Sequence, residues 1–170
     1  MTIEEALKTA LQYEAKVRNV YENAVKEAQD PVAENVFRVL AKEEQEHLDY
    51  LHDRLSELRE TGAITAEELR SVVPSKEAVA AAVTKLEGAV SERRSEHELD
   101  LFRAALKVET ETSNFYKRMV DELGSEGKAF FSRFVEIEEG HVSIVQAEID
   151  SLMGTGYWFD FREFDLSPSG

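Results

Sequence analysis

The sequence contains no cysteine, only three prolines and eight glycines, and 20 basic residues against 35 acidic ones in a chain of 170. Without cysteine there is no disulfide, no thiolate-bound zinc or iron-sulfur cluster and no thiol nucleophile. Any bound metal must therefore use nitrogen and oxygen ligands. Scarce proline and glycine leave few points at which long helices would be interrupted. The formal net charge of -15 repels phosphate backbones and anionic membrane surfaces and concentrates cations, so neither nucleic acid nor membrane is expected as a partner. No apolar run comes near the roughly 20 residues that span a bilayer. The opening MTIEEALKTA has no basic segment followed by an apolar one. A soluble, cytoplasmic protein is expected.

What is present is a high content of helix formers, with apolar residues recurring at three- and four-residue steps, and 42% hydrophobic residues, enough for one core. The pattern predicts an all-α fold. Thr2 to Glu5 has the form of a capping box and opens a helix over about 2–29. Asp30 and Pro31 then open a second, over 31–60, with a stop at Gly62. Ser95 to Glu98 repeats the capping-box pattern before a third long helix, about 96–123, and a fourth covers 126–153. Between the pairs lies a crossover, 61–95, with two short helical pieces around Pro74. Two hairpins with one long connection describe a four-helix bundle within residues 1–156. The remainder, 157–170, is an aromatic stretch expected as an extended tail, sealing one end of the bundle or packing on a second chain as a homodimer.

The second hairpin repeats the first. Leu11, Glu14 and Tyr21 correspond to Leu106, Glu109 and Tyr116 at an offset of 95, and Phe37, Leu40, Glu44 and His47 to Phe131, Phe134, Glu138 and His141 at an offset of 94. Each half thus offers one glutamate and one Glu-x-x-His. Helical periodicity places these among apolar residues: Leu7, Leu11, Glu14, Val17 and Tyr21 share one face, as do Leu40, Glu44, His47 and Leu51. The same holds for Phe102, Glu109 and Tyr116, and for Phe134, Glu138, His141 and Val145. Glu43 and Glu46, between the second-helix positions, are expected in solvent. His52 and His97 have no counterpart in the repeat and read as surface or helix-end histidines.

Four carboxylates in a core are untenable unaided, since each costs several kcal/mol to desolvate. Arg18, one turn from Glu14, could balance one of them. Two divalent cations would balance all four, with two neutral imidazoles completing the coordination.

This constellation resembles the ferritin-like superfamily of di-iron carboxylate proteins, and within it the rubrerythrin-type members, where two helices give one glutamate each and two give Glu-x-x-His. The resemblance implies that Glu44 and Glu138 bridge or chelate, that Glu14 and Glu109 cap one metal each, and that His47 and His141 bind one metal each. It implies two metal ions, most often iron, with manganese or zinc compatible with the ligand set. Rubrerythrins proper also carry a cysteine-bound iron in a rubredoxin domain, which this cysteine-free chain cannot supply. A further glutamate on their third helix serves a peroxidase cycle; here Thr112 stands one turn after Glu109, and Glu111 is rotated about 200° away.

The function implied is a non-haem oxidoreductase acting on dioxygen or hydrogen peroxide in oxidative-stress defence, with an external electron donor. Tyr21 and Tyr116 would orient ligand carboxylates or donate to bound peroxide, or else serve as ordinary amphipathic core residues. The alternatives are metal binding for storage, buffering or sensing without turnover, and a plain bundle whose glutamates form internal ion pairs.

Overall fold

A computed structural model describes residues 1–65, 69–85 and 95–154, with the backbone alone for 82–85. It is all-helical, with α1 Ile3–Glu27, α2 Pro31–Thr61, α3 Lys76–Lys85, α4 Glu96–Glu122 and α5 Ser125–Leu152. The four long helices fall where periodicity predicts them, to within a turn. The expected tail, 157–170, lies outside the described residues.

The starts of three long helices are written locally. Thr2 Oγ1 accepts from the Glu5 N–H at 3.2 Å while Glu5 Oε2 accepts from the Thr2 N–H at 2.8 Å, completing the capping box of α1. Asp30 accepts from the Val32 N–H at 3.0 Å ahead of Pro31, and α2 ends on Gly62 at φ 77°, a left-handed cap that glycine adopts without a Cβ penalty. At α4 only half of the expected box forms. Ser95 accepts from the Glu98 N–H, but the Glu98 carboxylate turns away to accept from the N–H groups of Gln29 (2.8 Å) and Asp30 (3.2 Å). The start of the second hairpin thereby caps the turn of the first.

Packing follows the sequence pairs: α1 lies along α2, α4 along α5, and the hairpins meet through α1 and α4. In the crossover, residues 69–75 are irregular, with a bend at 72–73, and α3 follows Pro74; of the two helical pieces expected there, the one before Pro74 falls partly on 66–68, outside the described residues. α3 rests on α5.

The core divides into two apolar clusters. One gathers Val17, Phe37, Leu40, Phe102 and Ile144; the other gathers Leu7, Leu51, Phe115, Phe131 and Phe134. Between them, in mid-bundle, lies a layer of buried polar residues. No helix among the described residues is long and apolar enough to cross a membrane.

Candidate metal centre

All six residues singled out by the repeat meet in this layer. Glu14, Glu44, Glu109, Glu138 and His141 are fully buried and His47 is 1% exposed. They form two groups of four, Glu14, Glu44, His47 and Glu138, and Glu44, Glu109, Glu138 and His141. Within each group one nitrogen or oxygen per residue lies within 4.8 Å of all the others. Glu44 and Glu138 belong to both. The imidazoles stack at 5.5 Å with 8° between their planes. Each turns Nδ1 inward: His47 Nδ1 is 3.2 Å from Glu44 and 3.3 Å from Glu14, and His141 Nδ1 is 2.8 Å from Glu44 and 3.4 Å from Glu109.

The tyrosines are crossed between the halves. Tyr21 on α1 donates its hydroxyl to Glu109 on α4, and Tyr116 on α4 donates to Glu14 on α1. Of the roles expected for Tyr21 and Tyr116, the geometry bears on the first, orientation of a carboxylate. Burial first, then the adjacent glutamates, keep both phenols well above their ordinary pKa, so they remain donors.

With the protein's own groups alone, the cluster shares protons. Burial and the Glu14 charge push Glu44 up to about 8, and burial with the charges of Glu14, Glu44 and Glu109 raises Glu138 well above the carboxylate range. Burial also acts to raise Glu14, but hydrogen bonds from protonated Glu44, from His47 and from Tyr116, with the His47 charge, outweigh it and hold Glu14 at about 2. Desolvation disfavours an imidazolium, yet the carboxylates around His47 overcome it and raise it to about 10; His141 is raised in the same way by Glu109, Glu43 and Glu44. Positive charge is thus demanded at the centre and supplied by protons.

That arrangement leaves polar atoms unserved. Taken as carboxylates, Glu44 and Glu138 have no hydrogen-bond donor on either oxygen, nor has Glu109 Oε2, and His141 Nδ1 is in ion-pair reach of Glu44 without hydrogen-bond alignment. Buried polar atoms are rarely left so. Inward-facing oxygens and imidazole nitrogens without partners are the donor set that a pair of divalent cations takes. The residues fit such a pair.

Two expectations need correction. Glu43 is not in solvent but 2% exposed. Its carboxylate accepts from Ser71 Oγ (2.7 Å) and from the Val72 N–H, both in the crossover, and lies 2.9 Å from His141 Nε2. Burial works to raise it, but the hydrogen bond and charge of His141, the His47 charge and the Ser71 hydroxyl hold it at about 2. Arg18 does not balance Glu14: its guanidinium engages Gln45 at 2.8 Å and lies 3.7 Å from Glu22. Glu46, His52 and His97 are exposed as expected, His97 with Nε2 2.7 Å from the Glu27 carbonyl at the end of α1.

No curated protein matches this chain. Among solved structures, a hypothetical protein from Pyrococcus furiosus shares the fold, with a TM-score of 0.62 and 20% identity over 93% of this chain and 94% of the other. The rubrerythrin family model matches residues 5–149, a span that holds all six clustered glutamates and histidines and both crossed tyrosines, and the chain belongs to the rubrerythrin family.

Proposed function

We propose that this protein is a non-haem di-iron oxidoreductase that reacts with dioxygen or hydrogen peroxide, supplied with electrons by an external donor, in defence against oxidative stress. The observation that carries the reading is the pair of buried four-residue groups sharing Glu44 and Glu138. Glu14 with His47, and Glu109 with His141, would each hold one ion, and Glu44 and Glu138 would span both. Two iron ions, when bound, supply the two electrons that reduce a peroxide.

The protein's own residues prepare that chemistry. Tyr116 and Tyr21 hold the Glu14 and Glu109 carboxylates in place from the opposite hairpin. Phe134, edge-on to His47 at 5.8 Å, and Phe37, beside Tyr21, keep water from the layer. His47 and His141 at Nδ1, and Glu44 and Glu138, would give up protons to take up metal, so binding would release protons.

Protein loaded with ferrous iron and oxidised should retain about two metals per chain, the stoichiometry of this ligand set, and its reduced form should consume peroxide. Absence of both retained metal and an oxo-iron absorption band would sink the proposal.

One observation favours a second reading, metal binding for storage, buffering or sensing without turnover, with iron, manganese or zinc. The position one turn after Glu109 is Thr112, whose hydroxyl donates back to the Val108 carbonyl at 2.8 Å, and Glu111 faces outward in an ion pair with Lys16 at 2.7 Å. Neither residue offers the further carboxylate that the peroxidase cycle of rubrerythrins proper uses. Full metal loading with no consumption of oxygen or peroxide would favour this reading.

A further inference from the structure

Glu43 stands behind the histidines rather than among the inner glutamates. With Nδ1 of each ring turned inward, Nε2 faces away from the centre, and Glu43 Oε2 lies 2.9 Å from His141 Nε2 and 3.9 Å from His47 Nε2. The carboxylate is fastened from its other side by Ser71 and Val72. The crossover that carries them is pinned at two further points on α5. Arg133 Nε donates to the Leu69 carbonyl at 2.9 Å, and the Pro74 carbonyl lies so close to Gly140 that a Cβ there would come within 2.6 Å of it. A surface cleft of about 370 Å³ has Ser71, Pro74 and Arg133 on its wall.

We infer that Glu43, clamped by residues 69–75 of the crossover, is a positioning residue for His141, fixing the ring nitrogen that it offers to a metal. The inference rests on the metal-site reading above. A carboxylate that already receives an O–H and an N–H can only accept, so the hydrogen between it and His141 belongs to Nε2. That leaves the Nδ1 lone pair as the donor to a metal, and such outer partners orient metal-binding histidines in general. Rotating the His141 ring would cost Glu43 Oε2 one of its two partners and leave only the Ser71 hydroxyl on it. The repeat has no second copy of this device, because the residue corresponding to Glu43 is Ile137, which is buried. His47 Nε2 has no hydrogen-bond partner. The metal position beside His141 is therefore the more firmly built of the two.

Zinc is the probe, because its closed shell permits NMR of the histidine nitrogens. In the wild-type chain His141 should bind zinc through Nδ1 and show a slowly exchanging Nε2–H. Glu43→Gln should weaken zinc binding by about 10–100-fold in competition with a chelator, chiefly at one of the two positions, and the His141 Nε2–H should exchange faster. A merely structural role for Glu43 would lower the melting temperature without moving these signals. Ser71→Ala, which loosens the clamp while keeping the carboxylate, should shift both readouts in the same direction by less, and it carries the test should Glu43→Gln fail to fold. If the wild-type chain binds no zinc, the metal-site reading fails and this inference with it. If the wild-type chain binds zinc and the variants bind it as tightly with the His141 signal unchanged, the inference alone is overturned.

Discussion

In the first hairpin His47 follows Glu43 by one turn; in the second, His141 follows Ile137. In the first, Glu46 points to solvent beside Lys42; in the second, the corresponding residue is Gly140, pressed against the Pro74 carbonyl. Facing inward, the hairpins match residue for residue: Glu14 with Glu109, Glu44 with Glu138, His47 with His141, and a tyrosine each. Symmetry holds where both halves face a common centre. It fails where one crossover, which occurs once, must lie on a structure that occurs twice.

The largest effects should test the symmetric part. Replacing both Glu44 and Glu138 by Gln should abolish stabilisation by added metal, which for the wild-type chain amounts to about 4 kcal/mol at a free concentration a thousandfold above Kd. Calorimetry with and without chelator reads this, and each single replacement should cost the same; a large difference between them would break the equivalence of the halves.

Next comes pH. In the chelated protein His47 is raised from 6.5 to about 10, so its contribution is complete below pH 6.5 and is lost as pH rises towards 10. Glu44, raised from 4.5 to about 8, favours the folded state less and less from pH 4.5 to 8. Glu14 and Glu43, held at about 2, contribute fully above pH 4.5 and lose this only in acid. The chelated protein should therefore be most stable near pH 5 and weaken towards pH 10 by roughly 1 kcal/mol per pH unit for each titrating group. Added zinc should stabilise more as pH rises over the same range; a flat melting temperature between pH 5 and 9 would contradict the proton-sharing picture.

Tyr21→Phe and Tyr116→Phe each remove one donor from a buried carboxylate and should each cost about 1.5–3 kcal/mol in urea unfolding. Equal costs are expected, and unequal ones would show that the crossed pairs are not equivalent. The smallest effect separates the halves. Gly140→Ala should destabilise by about 1–3 kcal/mol through overpacking against Pro74, whereas Glu46→Ala, at the corresponding exposed position, should stay within about 0.5 kcal/mol.

The contrast also explains what the sequence could reveal. Glu44 and His47 were legible because α2 turns one face to the bundle core and the 3.6-residue period follows that face. Glu43 was misread because it serves a second face of α2, covered by residues 69–75, and nothing periodic in α2 announces a cover made by an irregular segment far along the chain. Glu98 escaped for the same reason: its first-turn position reads as a local cap, while its carboxylate serves the turn between α1 and α2. Within the crossover, residues 69–75 offer hydrogen-bonding groups to Glu43 and Arg133, contacts that no periodicity announces.

The crossed tyrosines carry a consequence for how such a centre can be assembled. Because Tyr21 serves Glu109 and Tyr116 serves Glu14, a lone hairpin holds a tyrosine whose carboxylate is missing and a carboxylate whose tyrosine is missing. Two copies of one hairpin related by a two-fold axis would satisfy both at once, since an isologous pairing exchanges identical contacts. Within this single chain the two contacts, Tyr21 to Glu109 and Tyr116 to Glu14, are the same pairing made twice across the α1–α4 seam.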